Sequence, residues 1–122
     1  MPGPETLERF IAKVESNRHD EAIAEFYAGD STMRENQQEP RRGRESNVAR
    51  EKTILARTKM LTSKCIRPVF QARDFVVIRW QFRFVFNDGT VMEIEEIAYQ
   101  RWEGEKIAEE QFFYDPAQRQ PK

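Results

Sequence analysis

Residues 75–102 read "FVVIRWQFRFVFNDGTVMEIEEIAYQRW". In the first part of this stretch Val76, Ile78, Trp80, Phe82, Phe84 and Phe86 alternate with Val77, Arg79, Gln81, Arg83 and Val85. Only an extended strand puts every second residue on one face. "NDG" at 87–89 is a turn signal that suits a three-residue hairpin with Gly89 in the left-handed region. That turn sets the register, with Phe86 opposite Thr90, Arg83 opposite Glu93, Gln81 opposite Glu95 and Trp80 opposite Glu96. If the Trp80 face is inward, Met92, Ile94, Glu96, Ala98, Gln100 and Trp102 share it. The outer face then carries Arg79, Gln81, Arg83, Glu93, Glu95, Tyr99 and Arg101. Opposite charges directly across a hairpin contribute about 0.2–1 kcal/mol per pair, so this face reads as solvated or as a dimer contact.

Upstream of the hairpin, Leu7, Phe10, Ile11 and Val14 fall at helical spacing and predict a first helix. "SNRHD" interrupts it. Asp20 is the expected N-cap of a second helix carrying Ile23, Phe26 and Tyr27, with Gly29 placed to end it. Asp30–Asn36 follow as a short extended segment, and "QQEPRRG" reads as a loop. A third helix is predicted over 44–62, held by Val48, Ile54, Leu55 and Leu61. "CIRPVFQAR" is a strand in which Pro68 marks an edge or a bulge. Downstream, "EGE" turns the chain into a last strand, "KIAEEQFFYD". There Ala108, Glu110, Phe112 and Tyr114 form one face and Ile107, Glu109, Gln111 and Phe113 the other, and periodicity does not choose between them. Helices segregated from a meandering antiparallel sheet make an α+β plan.

A chain of 122 residues buries one core, so a single domain over 1–122 is expected, with its core at about 5–117. The 20 basic and 21 acidic side chains nearly cancel, which argues against nucleic acid as a partner. Cys65 is the lone cysteine, no Cys or His pair has metal-ligand spacing, and no cofactor motif occurs. The N-terminus lacks a basic and apolar leader, and no apolar run is long enough to span a membrane, so a cytoplasmic protein is expected. "RRGR" at 41–44 reads as a solvated loop near Glu39 and Glu45, or as an anion site beside the start of the third helix. His19 reads as a polar residue at a helix boundary.

Two carboxylates break the apolar pattern. Glu96 sits in the inward row of the hairpin, and Glu35 lies two residues beyond Met33, the one large apolar anchor of "YAGDSTMREN" at 27–36. A buried, unpaired carboxylate is costly, so each is protonated, hydrogen-bonded or facing a wet cavity. The plain alternatives are that Glu35 reaches solvent at the sheet rim and that Glu96 is a structural hydrogen-bond hub.

"EAIAEFYAGDSTMREN", then "EPRRGRE" and finally "YQRWEGEKIAEEQFFYDP" resemble the NTF2-like superfamily, in its SnoaL-like and ketosteroid-isomerase-like branch, over about 5–117. The resemblance implies a cone of three N-terminal helices on a strongly curved, mixed, mostly antiparallel sheet. It implies a small-molecule ligand, a homodimer formed through the sheet, and no cofactor. The isomerases' carboxylate base falls on Glu35. Their two oxyanion donors fall on Phe10 and Ala98, which cannot donate, so steroid isomerisation by that route is not expected. The epoxide hydrolases' last aspartate falls on Phe112. The same resemblance turns Glu110, Phe112 and Tyr114 toward the pocket. The expected site therefore has Glu35, Glu96 and Glu110 as acid/base groups, and Met33, Trp80, Phe82, Ile94, Ala98, Phe112, Tyr114 and Phe10 as ligand-binding walls. Its expected function is binding of a largely apolar ligand with general acid/base chemistry at Glu35, the alternative being a non-catalytic binding or dimerisation module.

Overall fold

In the computed structural model, which describes residues 1–122, the chain begins with α1 (Pro4–Glu15), α2 (His19–Phe26), β1 (Tyr27–Glu35), β2 (Arg41–Arg42) and α3 (Arg44–Ala56). It continues through β3 (Thr58–Ala72), β4 (Phe75–Phe86), β5 (Val91–Glu103) and β6 (Lys106–Phe113), and closes with a 3-10 turn at Pro116–Arg119.

The β4–β5 hairpin forms in the expected register, with Trp80 opposite Glu96, Gln81 opposite Glu95 and Arg83 opposite Glu93. Gly89 takes φ 88°, the left-handed conformation the turn requires, and the Phe86 N–H donates to the Thr90 carbonyl at 2.9 Å. The face assignment holds too: Val76, Ile78, Ala98 and Trp102 are fully buried. On the outer face Arg79 Nε donates to Glu95 at 2.7 Å.

Six strands make one sheet in the order β2-β1-β6-β5-β4-β3. β1 and β6 pair in parallel, and every other neighbouring pair is antiparallel. Parallel pairing places Met33 opposite Glu110 and Glu35 opposite Phe112. Ile107 is nevertheless fully buried as well, because the β5–β6 register slips by one residue between Arg101 and Trp102. That bulge moves the inward position from one alternating set to the other, which is why neither set of the last strand is uniformly apolar.

Three helices cover the inner face. α1 buries Leu7, Phe10, Ile11 and Val14, and α2 buries Ala22, Ile23 and Phe26. The Phe10 ring is the pivot of this packing, 5.5 Å from Phe26 and 5.9 Å from Trp102.

Several expected boundaries move. α2 starts at His19 with Arg18 at the N-cap, so Asp20 lies in the first turn, where its charge complements the helix dipole. The helix ends at Phe26, and Tyr27 is already extended, with φ −103° and ψ 144°. Gly29 therefore lies inside β1 rather than closing a helix. α3 stops at Ala56 instead of 62, and Leu61 belongs to β3. The reason is pairing: β4 presents a long row of backbone donors and acceptors, and Thr58–Ile66 satisfies it, with Leu61 opposite Phe84, whereas a longer α3 would leave that edge bare. Pro68 lies on the edge strand, in the gap where the register slips between Ile66 and Phe70. Arg41 and Arg42 form a short strand on β1 rather than a loop.

Candidate functional site

Between the inner sheet face and the helices lies a cavity of about 770 Å³. Its apolar wall comes from the alternation of β4 and β5. Trp80, Phe82 and Phe84 line it from β4, and Met92 and Ile94 from β5. Trp80 and Phe82 are stacked with centroids 5.6 Å apart. Phe10, Met33 and Phe112 close it from α1, β1 and β6.

All three expected glutamates reach this cavity, and each meets a different environment. Glu35, buried at the end of β1, is paired through Oε2 with the Arg41 guanidinium, and its Oε1 makes no hydrogen bond. Arg41 is held in turn by Asn47, whose Oδ1 accepts from Arg41 Nε at 3.2 Å. Glu110 on β6 accepts from the Tyr27 hydroxyl and from Gln100 Nε2, the latter at 2.6 Å. Gln100 in turn accepts from the Trp102 indole at 2.9 Å. Burial pushes Glu110 up to about 7, against the lowering effect of its two hydrogen bonds. Glu96 lines the cavity and makes no hydrogen bond. Burial first, then the Glu110 and Glu35 carboxylates, push it up to about 8.

Two of the expected walls are corrected. Ala98 is fully buried in the main core and does not line the cavity, because a methyl group on a central strand is covered by its larger neighbours. Tyr114 lies just beyond β6 and does not line it either; its ring instead takes the Arg119 guanidinium, 5.7 Å from the centroid.

Other lining residues were not among those expected in the site. His19 stands at a helix boundary as expected, the first residue of α2, and is buried there. Its Nε2 meets Ser63 Oγ at 2.8 Å, its Nδ1 faces Glu51 at 3.6 Å, and its ring lies 5.1 Å from Phe82. Arg50, Arg57 and Arg119 also line the cavity. The only signal for His19 was its nearness to a helix start, and the arginines come from elements rich in charge, where no periodicity marks one of them. No group of three or more His, Cys, Asp or Glu side chains is arranged to hold a metal ion, and no helix is long and apolar enough to cross a membrane.

The SnoaL-like domain family matches residues 7–110. No curated protein matches the chain by sequence. Among solved structures, a hypothetical protein with a ketosteroid isomerase-like fold from Catenulispora acidiphila, in complex with trimethylamine, superposes with a TM-score of 0.74 at 18% identity, covering 92% of this chain and 86% of that one. A SnoaL-like polyketide cyclase from Jannaschia gives 0.74 at 14% identity, covering 93% and 85%. An epoxide hydrolase of the LEH-like type from M. tuberculosis gives 0.75 at 10% identity, covering 93% and 83%. At these identities the likeness is one of fold, and one fold serves several chemistries. By its matched residues and its α+β cone, the chain belongs to the SnoaL-like domain family, with the NTF2-like fold.

Proposed function

We propose that the cavity binds a small, largely apolar ligand bearing a carbonyl group and moves a proton on it, with Glu96 donating to the carbonyl oxygen and Glu35 accepting a proton from the adjacent carbon. The observation that carries this reading is Glu96, an unpartnered carboxyl raised to about 8 on the wall of an aromatic cavity. At neutral pH such a group is mostly protonated, and a neutral carboxyl in an apolar site is a strong hydrogen-bond donor toward a developing oxyanion. The family resemblance puts its second oxyanion donor at Ala98, where none exists. Glu96 lies two residues earlier on the same face of β5, so a donor is available one step along the strand. The family resemblance gives the base to Glu35, and this reading is supported by its Oε1 being unbonded while Arg41 orients the carboxylate through Oε2.

The test is deuterium exchange α to the carbonyl in a panel of small cyclic ketones, followed by NMR. Wild type is expected to accelerate exchange in at least one ketone. Glu35→Gln and Glu96→Gln should each slow it by about 100-fold or more, the usual scale of an acid/base group, while the ketone still binds. Exchange unaffected by Glu35→Gln would remove Glu35 from the mechanism.

The pairing of Glu35 with Arg41, and of Glu110 with Tyr27 and Gln100, favours a second reading in which these two acids are structural and the cavity binds without turnover. Ligands that bind with no exchange in any of them would establish that reading instead.

A further inference from the structure

Four arginines line the cavity, and they differ in what their guanidinium groups meet. Arg41 is bonded to Glu35 and Asn47. Arg57 is exposed at the end of α3. Arg50 and Arg119 are both only partly exposed, and neither makes a hydrogen bond. The one ionic neighbour of Arg50 is Glu51, at 3.9 Å, beyond hydrogen-bond reach. Arg119 has only the face of Tyr114.

A guanidinium carries five N–H donors in a rigid fork, and two such groups on one cavity with no bonded acceptor leave donors free for a ligand. The two groups line the same cavity; burial, then Arg41, and in smaller part Arg119, hold Arg50 below the usual arginine range, against the raising effect of Glu35 and Glu51. Arg119 is also held in place. The Gln118 amide side chain is bonded both ways to the Glu95 backbone, at 2.9 and 3.2 Å, and Lys122 exchanges backbone bonds with Val91 at 2.9 and 2.8 Å. Arg119 is therefore fixed against the end of the sheet by the segment that carries it, an arrangement suited to an anion held between two forks. The nearest acids bond neither fork: Glu35 is paired with Arg41, and Glu51 lies 3.9 Å from Arg50 while also facing His19 at 3.6 Å.

We infer that the ligand of this cavity is an anionic amphiphile, an aromatic or alicyclic carboxylate whose carboxylate is bound between Arg50 and Arg119 while its ring lies on the Trp80 and Phe82 faces. This rests on the proposal that the cavity is a ligand site, and it names the chemical class of the ligand. The carbonyl addressed by Glu96 then belongs to the same molecule, so the ligand class narrows to cyclic keto acids and their relatives.

The test uses three probes of one shape and different charge: 2-naphthoate, 2-naphthamide and 2-naphthylmethylammonium, titrated calorimetrically into the full chain at low salt. 2-Naphthoate is expected to bind about tenfold or more tightly than the amide, the scale of a charge-assisted pair. Arg50→Gln and Arg119→Gln should each erase most of that preference by weakening 2-naphthoate more than the amide, whereas Arg83→Gln, exposed on the outer face of the sheet, should preserve it. If Arg50→Gln fails to fold, as checked by circular dichroism, Arg119→Gln in the terminal turn carries the test. Equal binding of amide and naphthoate, tightest binding of the ammonium, or a preference that survives both substitutions overturns the carboxylate proposal and leaves the cavity reading standing. Binding of none of the three overturns both.

Discussion

Ser31 lies two residues before Met33 on β1, is 1% exposed, and its Oγ has no hydrogen-bond partner. A hydroxyl withdrawn from water with nothing to bond costs free energy that a methyl group does not. Ser31→Ala is therefore expected to stabilise the protein by about 1 kcal/mol, read as a higher urea midpoint at unchanged slope; a lower midpoint would mean that the hydroxyl has a partner. The same contrast between satisfied and unsatisfied groups separates the three glutamates. Glu96 and Glu35 stood out in the sequence, because Glu96 interrupts a two-residue period and Glu35 follows an anchoring methionine by two, whereas Glu110 was turned inward only by the family resemblance. Their differing environments were not legible. The partner of Glu35 comes from a loop read as solvated, and those of Glu110 come from Tyr27, expected in a helix, and Gln100. Ion pairs and hydrogen bonds between distant segments leave no periodic trace.

At the scale of elements, Phe10 is the aromatic contact that joins α1 to both α2 and the sheet. Phe10 touches Phe26 of α2 and Trp102 of β5 while also lining the cavity. Phe10→Ala should cost about 3–5 kcal/mol, the range for a large ring removed from a packed core. Phe86→Ala, at the half-buried end of the hairpin, should cost clearly less. Equal losses in chemical denaturation would mean that α1 is not anchored as described. The hairpin was fully readable because alternation over twelve residues and a glycine turn agree with each other. The α3–β3 boundary was not. The apolar stripe of α3 is thin, its one buried residue is the polar Asn47, and β3 is an edge strand with a mostly exposed pattern. With so little burial, neither period dominates, and the need of β4 for a neighbour decides.

For the molecule as a whole, the raised carboxyls make stability depend on pH. Glu96 at about 8 and Glu110 at about 7 both lie above their ordinary value of 4.5. Between pH 4.5 and 8 the folded chain therefore holds protons that the unfolded chain releases, and raising the pH favours unfolding. The urea midpoint should fall from pH 5.5 to pH 8.5, by an amount corresponding to a few kcal/mol, and Glu96→Gln should flatten that fall and raise the midpoint at pH 8.5. A midpoint that rises over this range would show that neither acid is held protonated. The parallel contact between β1 and β6 has a different consequence, one of timing. One helix and four strands separate Met33 and Glu35 in the chain from their neighbours Glu110 and Phe112. Contacts of such sequence separation close late and slowly. During synthesis the cavity cannot close until β6 has left the ribosome, so binding of the proposed ligand would serve as an assay of completed folding.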